Sequence, residues 1–97
     1  IHTVGPIWQG GHNNEASLLT CCYRNSLNCL VENNLRSIAF PAISCGVYRY
    51  PPELATKIAI TETLSMLTVN DAIEEVIFVS FDTSMHQLYQ QTLSQID

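Results

Sequence analysis

Ser44, Cys45 and Gly46 stand together in a ten-residue run, Ala42-Ile43-Ser44-Cys45-Gly46-Val47-Tyr48-Arg49-Tyr50-Pro51, whose residue types suit the holding of an anion. The run follows a short apolar segment and leads into Pro52-Glu53, a helix start, where unpaired backbone amides and the helix dipole favour negative charge. A phosphate fits such a place. Ser44 adds a hydroxyl donor, and Gly46 lets the backbone approach a ligand or turn through angles other residues avoid. Tyr48 and Tyr50 supply apolar rings with polar tips, as the walls of a pocket for a sugar or nucleoside would need. The same residues also fit an ordinary strand-to-helix connection.

Cys45 opens a second chemistry, a thiolate nucleophile activated by the helix N-terminus as in cysteine phosphatases. The spacing speaks against it: Arg49 is only four positions on, and position 51 is proline where a phosphate-cradling arginine would be needed. His2, His12 and His86 are possible bases, but nothing in the sequence brings any of them to Cys45. The histidines and acids show no metal-ligand spacing, so no metal and no resident cofactor is expected.

The elements that must position this run follow from periodicity. Ile1 to Val4 reads as a strand, followed by a polar loop through Asn14. From Glu15, apolar Leu19, Tyr23, Leu27, Leu30 and Val31 recur at helical spacing, and Asn33-Asn34 supplies the stop. Glu15 suits the positive end of that helix dipole. Ser37 to Phe40 fits a short buried strand closed by Pro41. Pro51-Pro52 opens a second helix with Leu54, Ile58, Ile60, Leu64 and Leu67 on its apolar surface, expected to be largely covered. Val76 to Phe81 is a central strand by its β-branched and aromatic content. Ser84 with Gln87 makes a capping-box pattern, ahead of Met85, Leu88, Tyr89, Thr92 and Ile96 on one face of a terminal helix. Strands alternating with helices imply right-handed crossovers and a parallel sheet, with ligands beyond the carboxyl ends of the strands.

The chain has 97 residues, 46% of them hydrophobic, and nine acids against four bases. That length bounds the fold to one globular domain with a small core. The four bases, Arg24, Arg36, Arg49 and Lys57, form no cluster, which excludes duplex nucleic acid as a partner, and no apolar run is long enough to cross a bilayer. Cys21, Cys22, Cys29 and Cys45 lack paired zinc spacings and are expected as reduced thiols in the cytoplasm, the first three as small hydrophobes packed on a helix. The chain begins without methionine inside a strand-like segment, which suggests something further upstream.

Ile1-His2-Thr3-Val4-Gly5-Pro6 and Ala39-Phe40-Pro41-Ala42-Ile43-Ser44-Cys45-Gly46-Val47-Tyr48-Arg49-Tyr50-Pro51 resemble the macro domain family, most closely its O-acetyl-ADP-ribose deacetylases, and Val76 to Asp82 is similar to the family's last strand. The resemblance implies an α/β, three-layer fold with parallel strands and helices alternating as β-α-β-α-β-α, a single partial domain over residues 1–97. It also implies a site for ADP-ribose, O-acetyl-ADP-ribose or a related derivative such as ADP-ribose 1″-phosphate. Ile43, Ser44, Cys45, Gly46, Val47, Tyr48 and Arg49 would wrap the diphosphate and distal ribose, with Tyr48 beside the reacting ribose. Phe81 would lie against the adenine, stacked on the base unless it is a core residue, and Asp82 would be a further ligand-binding residue. In the family's hydrolases, water attacks an ester carbonyl or the distal C1″ while bound groups stabilise developing charge.

The chain departs from the family's loop at Cys45, in place of threonine, and at Arg49, in place of glycine. If that glycine has a positive φ, arginine there stores strain of about 1 kcal/mol, although its guanidinium could pair with the diphosphate. The family's asparagine-rich segment, glycine-rich loop and the helix they lead into have no counterpart in this sequence. The family's strand order also puts a strand of that part between Ile1–Val4 and Ser37–Phe40. A free parallel edge invites pairing, so the sequence predicts a homo-oligomer or completion by another polypeptide. A non-catalytic structural remnant is the alternative to a ligand module.

Overall fold

The helical spacing of Leu19, Tyr23, Leu27 and Leu30 becomes helix α1, Glu15–Glu32, in a computed structural model that describes residues 1–95. Asn34 takes the left-handed conformation expected of a helix stop, with φ of 57°, and its amide donates to the Val31 carbonyl. Strand β1 is Ser37–Phe40, helix α2 Pro52–Val69, strand β2 Glu75–Phe78 and helix α3 Thr83–Ser94. The strands run parallel, with Ile38 opposite Val76 and Phe40 opposite Phe78. No described helix is long and apolar enough to cross a membrane.

Ile38, Phe40, Val76 and Phe78 share one face of the sheet, and all three helices pack there. Tyr23 of α1 meets Phe40 edge-on at 4.8 Å, and Phe78 stacks on Tyr89 of α3 at 5.2 Å. Phe78 therefore joins the larger core of α1, α2 and β1 to the smaller one of Ile60, Met85 and Tyr89. Arg24 of α1 and Glu62 of α2 add an ion pair at 2.8 Å. The opposite face, with Ser37, Ala39, Glu75 and Ile77, is exposed among the described residues. These residues build two of the layers expected of the α/β architecture.

Several expectations are corrected. Ile1–Val4 is not a strand but an exposed segment without regular structure, because a strand exists only through a neighbour's ladder and no described residue pairs with it. A groove of about 350 Å³ separates Ile1, His2 and Thr3 from Ser37, Ala39 and Phe40 of β1. Alternation along a parallel strand turns the amide and carbonyl of Ile38 toward β2 and those of Ser37 and Ala39 into this groove. β2 stops at Phe78 rather than Phe81. Its last partner is the Phe40 carbonyl, which accepts from Val79 N at 2.7 Å, and Pro41 then closes β1.

Asp82, not Ser84, caps α3: its extended backbone lets the carboxylate accept from the Met85 amide at 2.8 Å, and Ser84 falls inside the helix. Met85 and Tyr89 are buried as expected, whereas Ile96 lies outside the described residues. On α2 the buried stripe is Ala55, Thr56, Ala59, Ile60, Thr63 and Met66, while Leu54 is exposed. Cys22 is buried and Cys29 half-buried, but Cys21 faces solvent, since neighbours on a helix diverge by about 100°.

Candidate ligand site

The loop from Pro41 to Pro51 leaves β1 at the carboxyl end of the sheet, where β2 also ends and α3 begins. Its backbone is pinned internally. Tyr50 N donates to the Ser44 carbonyl at 2.9 Å, Arg49 N to Gly46 O at 3.0 Å, and Cys45 N to Ala42 O at 3.2 Å. Trp8 N donates to Tyr48 O at 2.9 Å, and the Trp8 and Tyr50 rings meet at 4.8 Å, so the segment 5–14 braces the loop from behind. Gly5 presses on it so closely that an added Cβ would stand 2.2 Å from Ser44 Oγ and 2.5 Å from Ile43 Cγ2. Only glycine fits there.

Among the described residues, the amides of Gly46, Val47 and Tyr48 donate to no acceptor. They form a run of free donors on an exposed turn, a backbone arrangement suited to an anion. Gly46 does not have a positive φ, so its conformation is open to any residue. The space above it is empty, with no heavy atom within 4 Å of a built Cβ. Of the two roles expected of this glycine, close approach remains and unusual dihedrals do not. Val47 is exposed, Tyr48 half-buried and Tyr50 buried beneath the turn.

Arg49 does adopt a left-handed conformation, with φ of 60°, and so does Ser44, with φ of 67°. The arginine is exposed and forms no ion pair among the described residues, which leaves its guanidinium free. Ser44 is buried, and its hydroxyl finds no partner among the described residues. The hydroxyl lies against Gly5.

Cys45 is half-buried, and burial pushes its thiol up to about 11, the opposite of the depression a nucleophile needs. His2, His12 and His86 are all exposed, and none hydrogen-bonds Cys45. Cysteine-dependent hydrolysis is thus disfavoured by depth as well as by the Arg49 spacing. Burial likewise raises Tyr50 and pushes Tyr89 up to about 12, so both rings enter the packing as neutral phenols.

Glu15 is the residue whose role the sequence concealed. Its carboxylate accepts from the amides of Gln9 and Gly11 at 2.9 Å each and of Asn13 at 2.6 Å. Burial pushes this group up, but the amides outweigh burial and hold it down at about 2. It therefore folds the 9–13 loop that links Trp8 to α1, beyond any interaction with the helix dipole. The only sequence signal is an acid directly after a glycine- and asparagine-rich run.

Phe81 is 61% exposed, which removes its reading as a core phenylalanine. With Phe78, Ser80, Asp82, Thr83 and His86 it lines a shallow cleft of about 420 Å³. The Asp82 side chain is committed to capping α3. The site residues thus form two groups at one end of the sheet, the amide turn 44–49 and the aromatic cleft at Phe81, and no turn residue lines that cleft. Among the described residues, no cluster of histidine, cysteine and acids could hold a metal.

The family model for the macro domain matches residues 1–59. A macro domain-containing protein of Chlorobaculum tepidum is 51% identical over 94 residues, covering 97% of this chain and 55% of the relative. An O-acetyl-ADP-ribose deacetylase of Cronobacter turicensis is 48% identical over 97 residues, covering 100% and 55%. The solved Oceanobacillus iheyensis macrodomain with ADP matches at a TM-score of 0.92 and 40% identity, over 98% of this chain and 50% of that one. The Trypanosoma brucei macrodomain in complex with ADP-ribose matches at 0.87 and 35%, over 95% and 38%. The chain spans about half the length of the curated relatives it matches. With its parallel sheet, its pinned loop after β1 and more than half its length under the family model, this chain belongs to the macro domain family.

Proposed function

We propose that this chain binds ADP-ribose or a close derivative such as O-acetyl-ADP-ribose, with the diphosphate on the free amides of Gly46, Val47 and Tyr48. The observation that carries this reading is the emptiness above Gly46 together with three unpaired donors on a loop already pinned from below. Ile43, Ser44 and Cys45 hold the turn in place, Arg49 adds a cation at its rim, and Phe81 offers a ring face for the base beyond Asp82. The relatives named as deacetylases support an ester of ADP-ribose as the substrate of the whole protein. Tyr48 is the residue of this chain that would stand beside its reacting ribose. Calorimetric titration with ADP-ribose tests the reading. Gly46→Ala should leave the melting temperature unchanged and weaken binding by about tenfold, one lost contact of roughly 1.4 kcal/mol. No heat and no thermal shift at millimolar ligand would overturn it.

The free edge of β1 supports a second element of the proposal, that a second copy or another polypeptide completes the sheet along Ser37 and Ala39. Four unpaired cysteines support a reducing compartment, the cytoplasm.

A further inference from the structure

The cleft beside Phe81 has a chemistry unlike that of the amide turn. No lysine or arginine lines it, and its one carboxylate, Asp82, already accepts from the Met85 amide. Phosphate would find no cation there and an acid close by. A neutral planar ring would find the exposed face of Phe81, the hydroxyls of Ser80 and Thr83, and the imidazole of His86. His86 sits one turn after Asp82 on α3 and lines the cleft together with Phe81 and with Phe78 at the end of β2. It is exposed, and no described side chain engages its ring by a hydrogen bond or ion pair.

We propose that His86 is a specificity-determining residue on the base side of the ligand, hydrogen-bonding the edge of a purine stacked on Phe81. Stacking alone accepts any base, because every base has a π-face. A neutral imidazole carries one donor and one acceptor, and the edge of adenine likewise presents an amino donor beside a ring-nitrogen acceptor. Within this chain, reading of the base edge therefore falls to His86, while Phe81 supplies affinity.

This assignment rests on the proposed binding of ADP-ribose, and its test separates the two. The full chain is titrated with ADP-ribose, ADP, UDP and inorganic pyrophosphate, as wild type, as His86→Ala and as His86→Gln. The wild type should prefer ADP to UDP. His86→Ala should lose about five- to tenfold in affinity for ADP-ribose and ADP, the worth of one hydrogen bond, and reduce the ADP preference accordingly. Its affinity for pyrophosphate should not change, and His86→Gln, which keeps a donor and an acceptor, should recover part of the loss. Equal ADP and UDP affinities in the wild type, or an ADP preference that survives His86→Ala, overturn the role of His86 and leave the amide turn standing. Absence of all binding by the wild type overturns the turn as well as the assignment. Unchanged melting temperatures of both variants, expected for an exposed side chain, exclude misfolding as the source of any loss.

Discussion

Replacing Arg49 with glycine should stabilise the protein while weakening its hold on a diphosphate. At φ of 60° a residue with a Cβ carries about 1–2 kcal/mol of strain. Glycine relieves it but adds freedom to the unfolded chain, which offsets roughly 0.5–1 kcal/mol. No buried contact is lost, because the side chain is exposed and unpaired. The net gain is roughly 0.5–1 kcal/mol, a rise in melting temperature of about 2–8 °C for a domain of this size. Thermal unfolding followed by circular dichroism at 222 nm reads it directly. Arg49→Ala separates strain from charge: it keeps the left-handed Cβ, so its melting temperature should stay near that of the wild type, whereas both variants lose the guanidinium. If the arginine pairs with the diphosphate, both should bind ADP-ribose about tenfold more weakly, the worth of one charge-assisted bond. An Arg49→Gly variant no more stable than Arg49→Ala refutes the strain argument, whatever the binding shows.

Three further outcomes follow from the same geometry. The Glu15 carboxylate titrates at about 2 in the folded chain against 4.5 when unperturbed, so its contribution is complete above 4.5 and fades as pH falls toward 2; Glu15→Gln should lower the melting temperature at neutral pH and flatten that acid limb. Iodoacetamide at neutral pH should label exposed Cys21 well before Cys45, and first labelling at Cys45 would contradict its protonated, half-buried state. Sedimentation should show a dimer or larger species at micromolar concentration; a monomer whose Ser37 and Ala39 amides exchange as slowly as Ile38 would refute a partner-paired edge.

What could be read ahead of the structure was whatever local rules decide. The start of α1 at Glu15, its stop at Asn33-Asn34 and the proline opening of α2 each depend on a few adjacent residues, and each stands where expected. The loop after β1 was legible for the same reason, as a strand end, a glycine and a helix start in one run. Ile1–Val4 failed because a strand is a property of two segments, and its own composition says nothing about the groove beside it. Ser84 lost the cap of α3 to Asp82 because β2 ends at Phe78, which left Asp82 extended and free to reach the Met85 amide. The half-burial of Cys45, the exposure of Phe81 and the three amides gathered by Glu15 are facts of packing that no periodicity encodes.

The peptide plane between Tyr48 and Arg49 is clamped at both ends, its carbonyl by the Trp8 amide and its N–H by the Gly46 carbonyl. Flipping that plane, the cheapest way for a turn to rearrange around a ligand, would break both bonds at once. The Gly46 carbonyl that accepts from Arg49 also belongs to the peptide plane bearing the free Val47 amide, so that donor is held in place before an anion arrives. Association should follow a single exponential with a rate proportional to ligand concentration and no plateau, the kinetics of a rigid receptor rather than one that closes around its guest.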